Sequence, residues 1–265
     1  MLKMLFQKLK LPKVQMSLAL IAIYLSAFGQ LPFEQYLYVL VVSLGSTMLF
    51  DLVLSYARTR KLFIPHAAMV TGMILTLLVD PSLPWYKITT IAFIAMAAKN
   101  FVRINNKHIF NPAATGLLAG NFIFGSNIAW WGSSFHYSNT FSIQTLILYI
   151  ILLSPLYISA YRMRKYYSIL SFLAIYTAIT IFSFGNLSIN TLFIAVLNPT
   201  LLFFSSVMLP EPLTSPHERN KQLLFGFSVA ALNFILILNI VAGNIFIPDP
   251  LIVSLLIANI IFFKK

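Results

Sequence analysis

Apolar residues run along this chain in long blocks, separated by short polar clusters that hold most of its charge. The blocks lack the two-residue alternation of barrel strands, and each approaches the ~20 apolar residues a helix needs to cross a bilayer. The pattern predicts ten helices, over 15–30, 36–56, 62–79, 85–100, 108–125, 141–160, 167–184, 190–209, 222–242 and 249–263. Connections are short and no shift of composition marks a second domain. The 265 residues therefore read as a single integral membrane domain, all-α, spanning 1–265.

Composition removes the alternatives. The chain is 59% hydrophobic and 9% charged, with a mean hydropathy of +0.87, whereas a soluble domain carries roughly 25% charged residues. Its 24 Phe and 12 Tyr exclude a disordered chain. With no Cys, a disulfide scaffold, thiolate metal sites and iron–sulfur ligation by this chain are excluded as well.

The formal charge of +12 would suit a nucleic-acid partner, but its distribution excludes one. Lys3, Lys8, Lys10 and Lys13 precede the first predicted span; Arg58, Arg60 and Lys61 follow the second; Lys99, Arg103 and Lys107 follow the fourth. Arg162, Arg164 and Lys165, then Arg219 and Lys221, then Lys264 and Lys265 continue the series. In a ten-span arrangement these seventeen of the 18 cations share one side, and only Lys87 faces the other, with Glu34, Asp80 and Asp249. The positive-inside rule then places the chain in the cell membrane as a multi-pass protein with both termini cytoplasmic, its cations facing anionic lipid. Met1 to Val14 reads as a short interfacial amphipathic helix; a cleavable signal peptide is the competing reading, and it would spoil the charge parity.

Two segments echo each other. The third span ends in Asp80-Pro81-Ser82-Leu83-Pro84 and the eighth in Glu211-Pro212-Leu213-Thr214-Ser215-Pro216. Spans three and eight hold equivalent places in two groups of five, and an odd number of spans per group forces opposite orientations. Two inverted five-helix repeats, roughly 15–125 and 141–263, are expected, with a binding site near mid-membrane. The plainer alternative is that acid-Pro simply ends helices.

Soluble-enzyme motifs are absent, and His66, His108, His136 and His217 do not share ligand spacing on one helix, so no metal site is expected. Within the spans, Asp51 stands as a lone carboxylate; it either snorkels to the interface or pairs with Arg58 or Arg60, or else serves an ion or proton. Thr71-Gly72 lies mid-span, where Gly permits close approach of another helix or of a flat ligand. In Lys107-His108-Ile109-Phe110-Asn111-Pro112-Ala113-Ala114-Thr115-Gly116, Asn111 suits a helix cap and Pro112 the first turn. Free N–H groups beside small residues there make a seat for a polar or anionic ring system. Asn198-Pro199 echoes the pair inside the eighth span, where Pro would break or kink the helix. The outer loop 126–140, with Trp130, Trp131 and Tyr137, reads as an interfacial aromatic belt, or else as an exposed redox or substrate surface.

Val70-Thr71-Gly72, Asp80 to Trp85, Lys107 to Ala113, and Pro210 to Pro216 followed by Lys221 and Phe225-Gly226 together resemble one family. It is the RnfD family of membrane proteins from Rnf-type ion-translocating electron transport complexes, related to NqrB of sodium-pumping NADH:quinone oxidoreductase. The resemblance covers predicted spans three to nine. It implies a ten-span protein of two inverted halves that holds flavin and passes electrons across the membrane beside other membrane and redox subunits. The family's Lys-Asn-x-x-Asn-Pro-Ala stretch contributes to a flavin site; Lys107, Asn111, Pro112 and Ala113 match it, and His108 replaces the first Asn. The family's Ser-Gly-Ala-Thr stretch for covalent FMN is missing, leaving Thr140 as a hydroxyl in the corresponding loop. The expected cofactor is thus riboflavin or FMN bound noncovalently, with Thr71, Gly72, Lys107, His108, Asn111 and Pro112 at the site. A small-solute or flavin transporter on the same repeat is the competing function.

Overall fold

The computed structural model describes residues 12–61, 65–133, 143–184, 197–243 and 246–263. Helices begin and end where local chemistry dictates. Ten α-helices occupy the described residues: α1 Pro12–Ser26, α2 Phe33–Thr59, α3 His66–Leu78, α4 Trp85–Phe101, α5 Pro112–Phe124, α6 Ile143–Arg162, α7 Tyr166–Phe184, α8 Pro199–Phe203, α9 Arg219–Val241 and α10 Pro250–Phe262. They fall in the order of the ten apolar blocks. Only three of the described helices are long and apolar enough to cross a membrane: Phe33–Thr59, Tyr166–Ser183 and Arg219–Val241. Others are shorter than the sequence pattern predicts. At 1.5 Å per residue, a 13-residue helix such as α3, α5 or α10 covers about 20 Å of a hydrocarbon layer of about 30 Å.

The shortening has identifiable causes. Asn111, Asn198 and Asp249 each cap a helix through a side-chain oxygen, accepting from the backbone N–H three residues on at 3.0–3.2 Å, and each is followed by Pro at the first helical position. Pro199 therefore opens a described helix rather than kinking one; the earlier part of the predicted eighth span, 185–196, lies outside the described residues. α5 stops at Gly125, which takes the left-handed conformation at φ +64. α8 runs on as a π-helical turn over Phe204–Met208.

The chain divides into two units, Met1–Ser133 and Ser134–Lys265. In the first, α2 packs against α3 and α4, α4 against α5, and α1 against α3. The buried face of α2 is Tyr36, Val39, Ser43, Thr47, Asp51 and Ser55, residues three or four apart. Its outer face carries Leu37, Val41, Leu49 and Val53, with Val41 67% exposed and Asp51 fully buried. Polar inside and apolar outside is the reverse of a water-soluble helix, and it is the arrangement lipid requires. In the second unit, α7 packs along α9, α9 against α10, and the π-helical turn against α6 and α7.

Both acid-Pro segments close turns. Asp80 Oδ1 accepts from Ser82 N–H at 2.9 Å and from its hydroxyl at 2.7 Å. Glu211 O accepts from Ser215 N–H at 3.0 Å, and its carboxylate accepts from the Thr214 hydroxyl at 3.2 Å. The acid in each case satisfies groups that the broken helix would leave bare.

Candidate functional site

The turn before α5 is built on two consecutive asparagines. Asn105 and Asn106 adopt φ +50 and +62, conformations Asn tolerates better than most residues, and they fold Arg103–Ile104 back on Lys107–His108. This antiparallel pair sets Arg103 opposite His108 and Ile104 opposite Lys107. Lys107 is exposed, while His108 and Asn111 are buried. The Asn111 carboxamide oxygen accepts from Ala114 N–H at 3.1 Å, and its backbone carbonyl accepts from the Thr115 hydroxyl at 2.9 Å. Lys107, His108, Asn111 and Pro112 thus gather at one helix start, and α3, which bears Thr71 and Gly72, is a neighbour of α5. Thr140 lies outside the described residues.

The small residues are absorbed by packing. A Cβ on Gly72 would stand 2.9 Å from Leu44 Cδ1 and 3.0 Å from Leu44 Cα, so that glycine seats α3 against α2. One on Gly116 would stand 2.6 Å from Ile91 O and 2.9 Å from Ala95 Cβ, which seats α5 against α4. Thr71 donates to Ala67 O at 3.2 Å within its own helix. Gly72 and Gly116 therefore do not face an open slot for a flat ring. The turn from Lys107 to Pro112 has hydrogen-bonding groups and, at Lys107, an exposed cation.

Next to this turn stands a polar cluster that the sequence only half announced. Asp51 pairs with Lys99, Nζ to Oδ2 at 2.9 Å, and not with Arg58 or Arg60. Asn100 Nδ2 donates to Asp51 Oδ1 at 3.1 Å, and the Ser55 hydroxyl donates to Asn100 Oδ1 at 3.0 Å. Arg58 reaches Asn100 Oδ1 at 3.4 Å instead of the carboxylate. The reason is helical geometry. Asp51 lies on the inner face of α2, toward the end of α4 where Lys99 and Asn100 lie, whereas Arg60 has left the helix in a left-handed turn over the Tyr56 ring. Arg103 Nη1 donates to Lys99 O at 3.0 Å, and Nη2 donates to Asn106 O. Burial, reinforced by the neighbouring Arg58 guanidinium, lowers Arg103 from the ordinary arginine range. The cluster and the Lys107–Pro112 turn are thus joined through Arg103.

At the other end of α3, residues 126–133 of the loop expected as an interfacial belt bond to the helix terminus, with Trp130 and Trp131 half-buried. Ala129 N–H donates to Leu78 O at 2.8 Å and the Trp131 indole to Thr76 O at 3.0 Å, satisfying carbonyls at the helix terminus. Trp131 meets Tyr24 and Tyr36 edge-on at 6.4 and 6.3 Å. Those tyrosines stack at 4.1 Å and exchange hydrogen bonds, each hydroxyl donating to the other's backbone carbonyl at 2.7 Å. Tyr137 of the same loop lies outside the described residues.

Comparison with known proteins gives one result that covers the whole arrangement. The model of the NQR2, RnfD, RnfE family matches residues 7–262. No curated protein matches the chain.

Proposed function

The chain belongs to the NQR2, RnfD, RnfE family, and from that premise we propose that it is the membrane subunit of a multi-subunit electron transport complex, passing electrons through a noncovalent flavin in support of ion translocation. The observation that carries the reading is the extent of the family match, nearly end to end, on a chain whose helices are apolar on their outer faces. A chain without Cys has no thiolates for iron–sulfur centres, so partner subunits supply the remaining redox groups. Ten spans in two inverted halves, with both termini on the basic, cytoplasmic side, belong to the same proposal. The order of neighbours supports it: second helix on fourth and fourth on fifth in the first unit, and α7 on α9 and α9 on α10 in the second.

We assign the flavin to the Lys107–Pro112 turn, with Thr71 on the neighbouring helix, because that turn carries hydrogen-bonding groups and an exposed cation while Gly72 packs against Leu44. When bound, a flavin supplies one- and two-electron chemistry. Lys107 offers a cation for its carbonyl or phosphate oxygens, and His108 and Asn111 offer hydrogen-bonding groups for its polar edge. Thr140 has lost the motif around it, so attachment stays noncovalent.

A visible spectrum of the purified full-length protein tests the reading. Reducible flavin is expected, released on denaturation. Asn111→Leu removes both the cap and the amide, whereas Asn111→Asp keeps an acceptor for Ala114 N–H and replaces the amide donor with a carboxylate oxygen. Each should lower flavin per folded protein about five- to a hundred-fold, the effect of leaving one buried ring-edge partner unsatisfied. Unchanged flavin content in both moves the site elsewhere. Colourless wild-type protein that moves a solute into liposomes favours the transporter, for which the short capped helices and the π-helical turn are apt broken-helix elements.

A further inference from the structure

Within the second unit, the short connection from α6 to α7 and the start of α9 line an open cavity of about 540 Å³ at the basic end of the helices. Arg162, Arg164, His217 and Arg219 line it, with Tyr167 and Gln222. None of the residues assigned to flavin lies here. Arg164 is held in place by the chain itself: its φ of +56 turns the backbone between α6 and α7, and its carbonyl accepts from Gln222 Nε2 at 2.8 Å. Arg219 stacks its guanidinium over the Tyr167 ring at 4.8 Å. Neither Arg164 nor Arg219 is in an ion pair among the described residues, and the adjacent carboxylate, Glu218, turns to Lys221 at 3.0 Å. Gln222 is buried with its Oε1 unpartnered beside the cavity, and the α9 N-terminus has no side-chain cap. Cationic side chains and a helix N-terminus, beside a buried Gln222 whose Oε1 has no partner, therefore converge on one space.

Below the cavity the surface turns apolar in register. Arg219, Leu223 and Phe227 recur every four residues along α9, and Tyr166 and Leu170 do the same along α7; the four apolar and aromatic residues beyond Arg219 include three, Leu223, Phe227 and Leu170, that are exposed. Between these rows α7 and α9 are in close contact, the Ser171 hydroxyl donating to Leu223 O at 2.7 Å. A ligand with an anionic head and hydrocarbon tails matches both halves of this surface.

We propose that the cavity binds a phosphate group, carried by the headgroup of an anionic phospholipid whose acyl chains lie along the α7–α9 surface. Arg164 and Arg219 grip the phosphate oxygens. Flavin binding at the other unit is not required for this, so the two readings fail separately.

The test uses full-length protein in nonionic detergent, delipidated, with bound lipid counted by native mass spectrometry as phosphatidylglycerol is titrated. Phosphatidylcholine of the same chain length and inorganic phosphate form the other arms. Tight binding of phosphatidylglycerol is expected, weakened about thirty-fold in Arg164→Gln/Arg219→Gln, at roughly 1 kcal/mol per cation near a phosphate. The exposed Lys61→Gln, a charge change remote in sequence from the cavity, should leave it unchanged. Should the double variant fail to fold, Arg164→Gln alone gives the same reading at about five-fold. Equal binding of phosphatidylglycerol to wild type and variants overturns the site. Inorganic phosphate displacing the lipid at equal concentration shows a soluble phosphate as the occupant and overturns the lipid assignment, as does equal binding of phosphatidylcholine.

Discussion

Asp51 shows how far one residue can be read. A lone carboxylate in an apolar block must be neutralised or solvated, and the sequence made that much clear. Its partner was not legible, because Arg58 and Arg60 are nearer along the chain while Lys99 is nearer in space, at 2.9 Å. The lysine side chain is 14% exposed and the aspartate side chain is buried, so truncating the cation strands the anion. Lys99→Met should destabilise the protein by about 3–5 kcal/mol, the cost of breaking a buried pair by removing one partner. Asp51→Asn combined with Lys99→Met should recover most of that loss, because the stranded charge is gone and Asn100 still has an oxygen to donate to. Thermal unfolding of the purified variants measures both; a double variant no more stable than Lys99→Met alone would mean that the loss lies in packing rather than charge. His108 and Asn111 were singled out for their polarity at a helix start, and the cap at Asn111 is where the structure puts it.

At the scale of the helix, glycine positions separate packing from tolerance. A Cβ on Gly226 would stand 2.2 Å from Ser168 O and 2.9 Å from Phe172 N, both backbone atoms of α7. Gly45, in the middle of α2, has nothing within 4 Å of that position. Gly226→Ala should therefore push α9 off α7 and cost about 1–3 kcal/mol, the usual penalty of overpacking. Gly45→Ala should be neutral or stabilise by about 0.5–1 kcal/mol, because alanine restricts the unfolded chain and favours helix. Comparing their melting temperatures checks the contact; equal values would remove the close approach of α7 and α9. Helix existence was legible at this scale, since ten apolar blocks meet ten described helices in order. Helix length was not. Ile109 and Phe110 continue the apolar block ahead of α5, where the Asn111 cap and Pro112 fix the helix start and the extended backbone finds a protein partner, Val102 O for Ile109 N–H. Hydropathy counts residues that suit lipid and cannot tell a helical residue from a buried extended one. For the same reason Gly72 reads equally as a seat for another helix or for a flat ligand: a small residue announces close approach without naming what approaches.

For the molecule as a whole, apolar outer faces are interchangeable, so which helix neighbours which was not legible from hydropathy. The sequence singles out Asp51, and the structure shows it within a buried stripe of α2 with Ser43, Thr47 and Ser55. Charge carries a different kind of information, because it acts across the membrane rather than within a packed interface. The proposed ten-span arrangement puts seventeen of 18 cations on one side, and another parity would scatter them. The hairpin before α5 and the segment after it make that parity measurable. Asn105 and Asn127 are both exposed, and they bracket α5. The native chain has no Cys, so a single cysteine at either position is the only thiol present. Asn105→Cys should react with a membrane-impermeant maleimide only after inverted or opened vesicles expose the cytoplasmic side, and Asn127→Cys should react in intact cells. α5 is 13 residues long, shorter than a bilayer core, so the experiment also asks whether so short a helix completes a crossing with the extended backbone around it. Labelling of both positions from one side would make α5 re-entrant, change the parity of every later segment, and remove the inverted repeat.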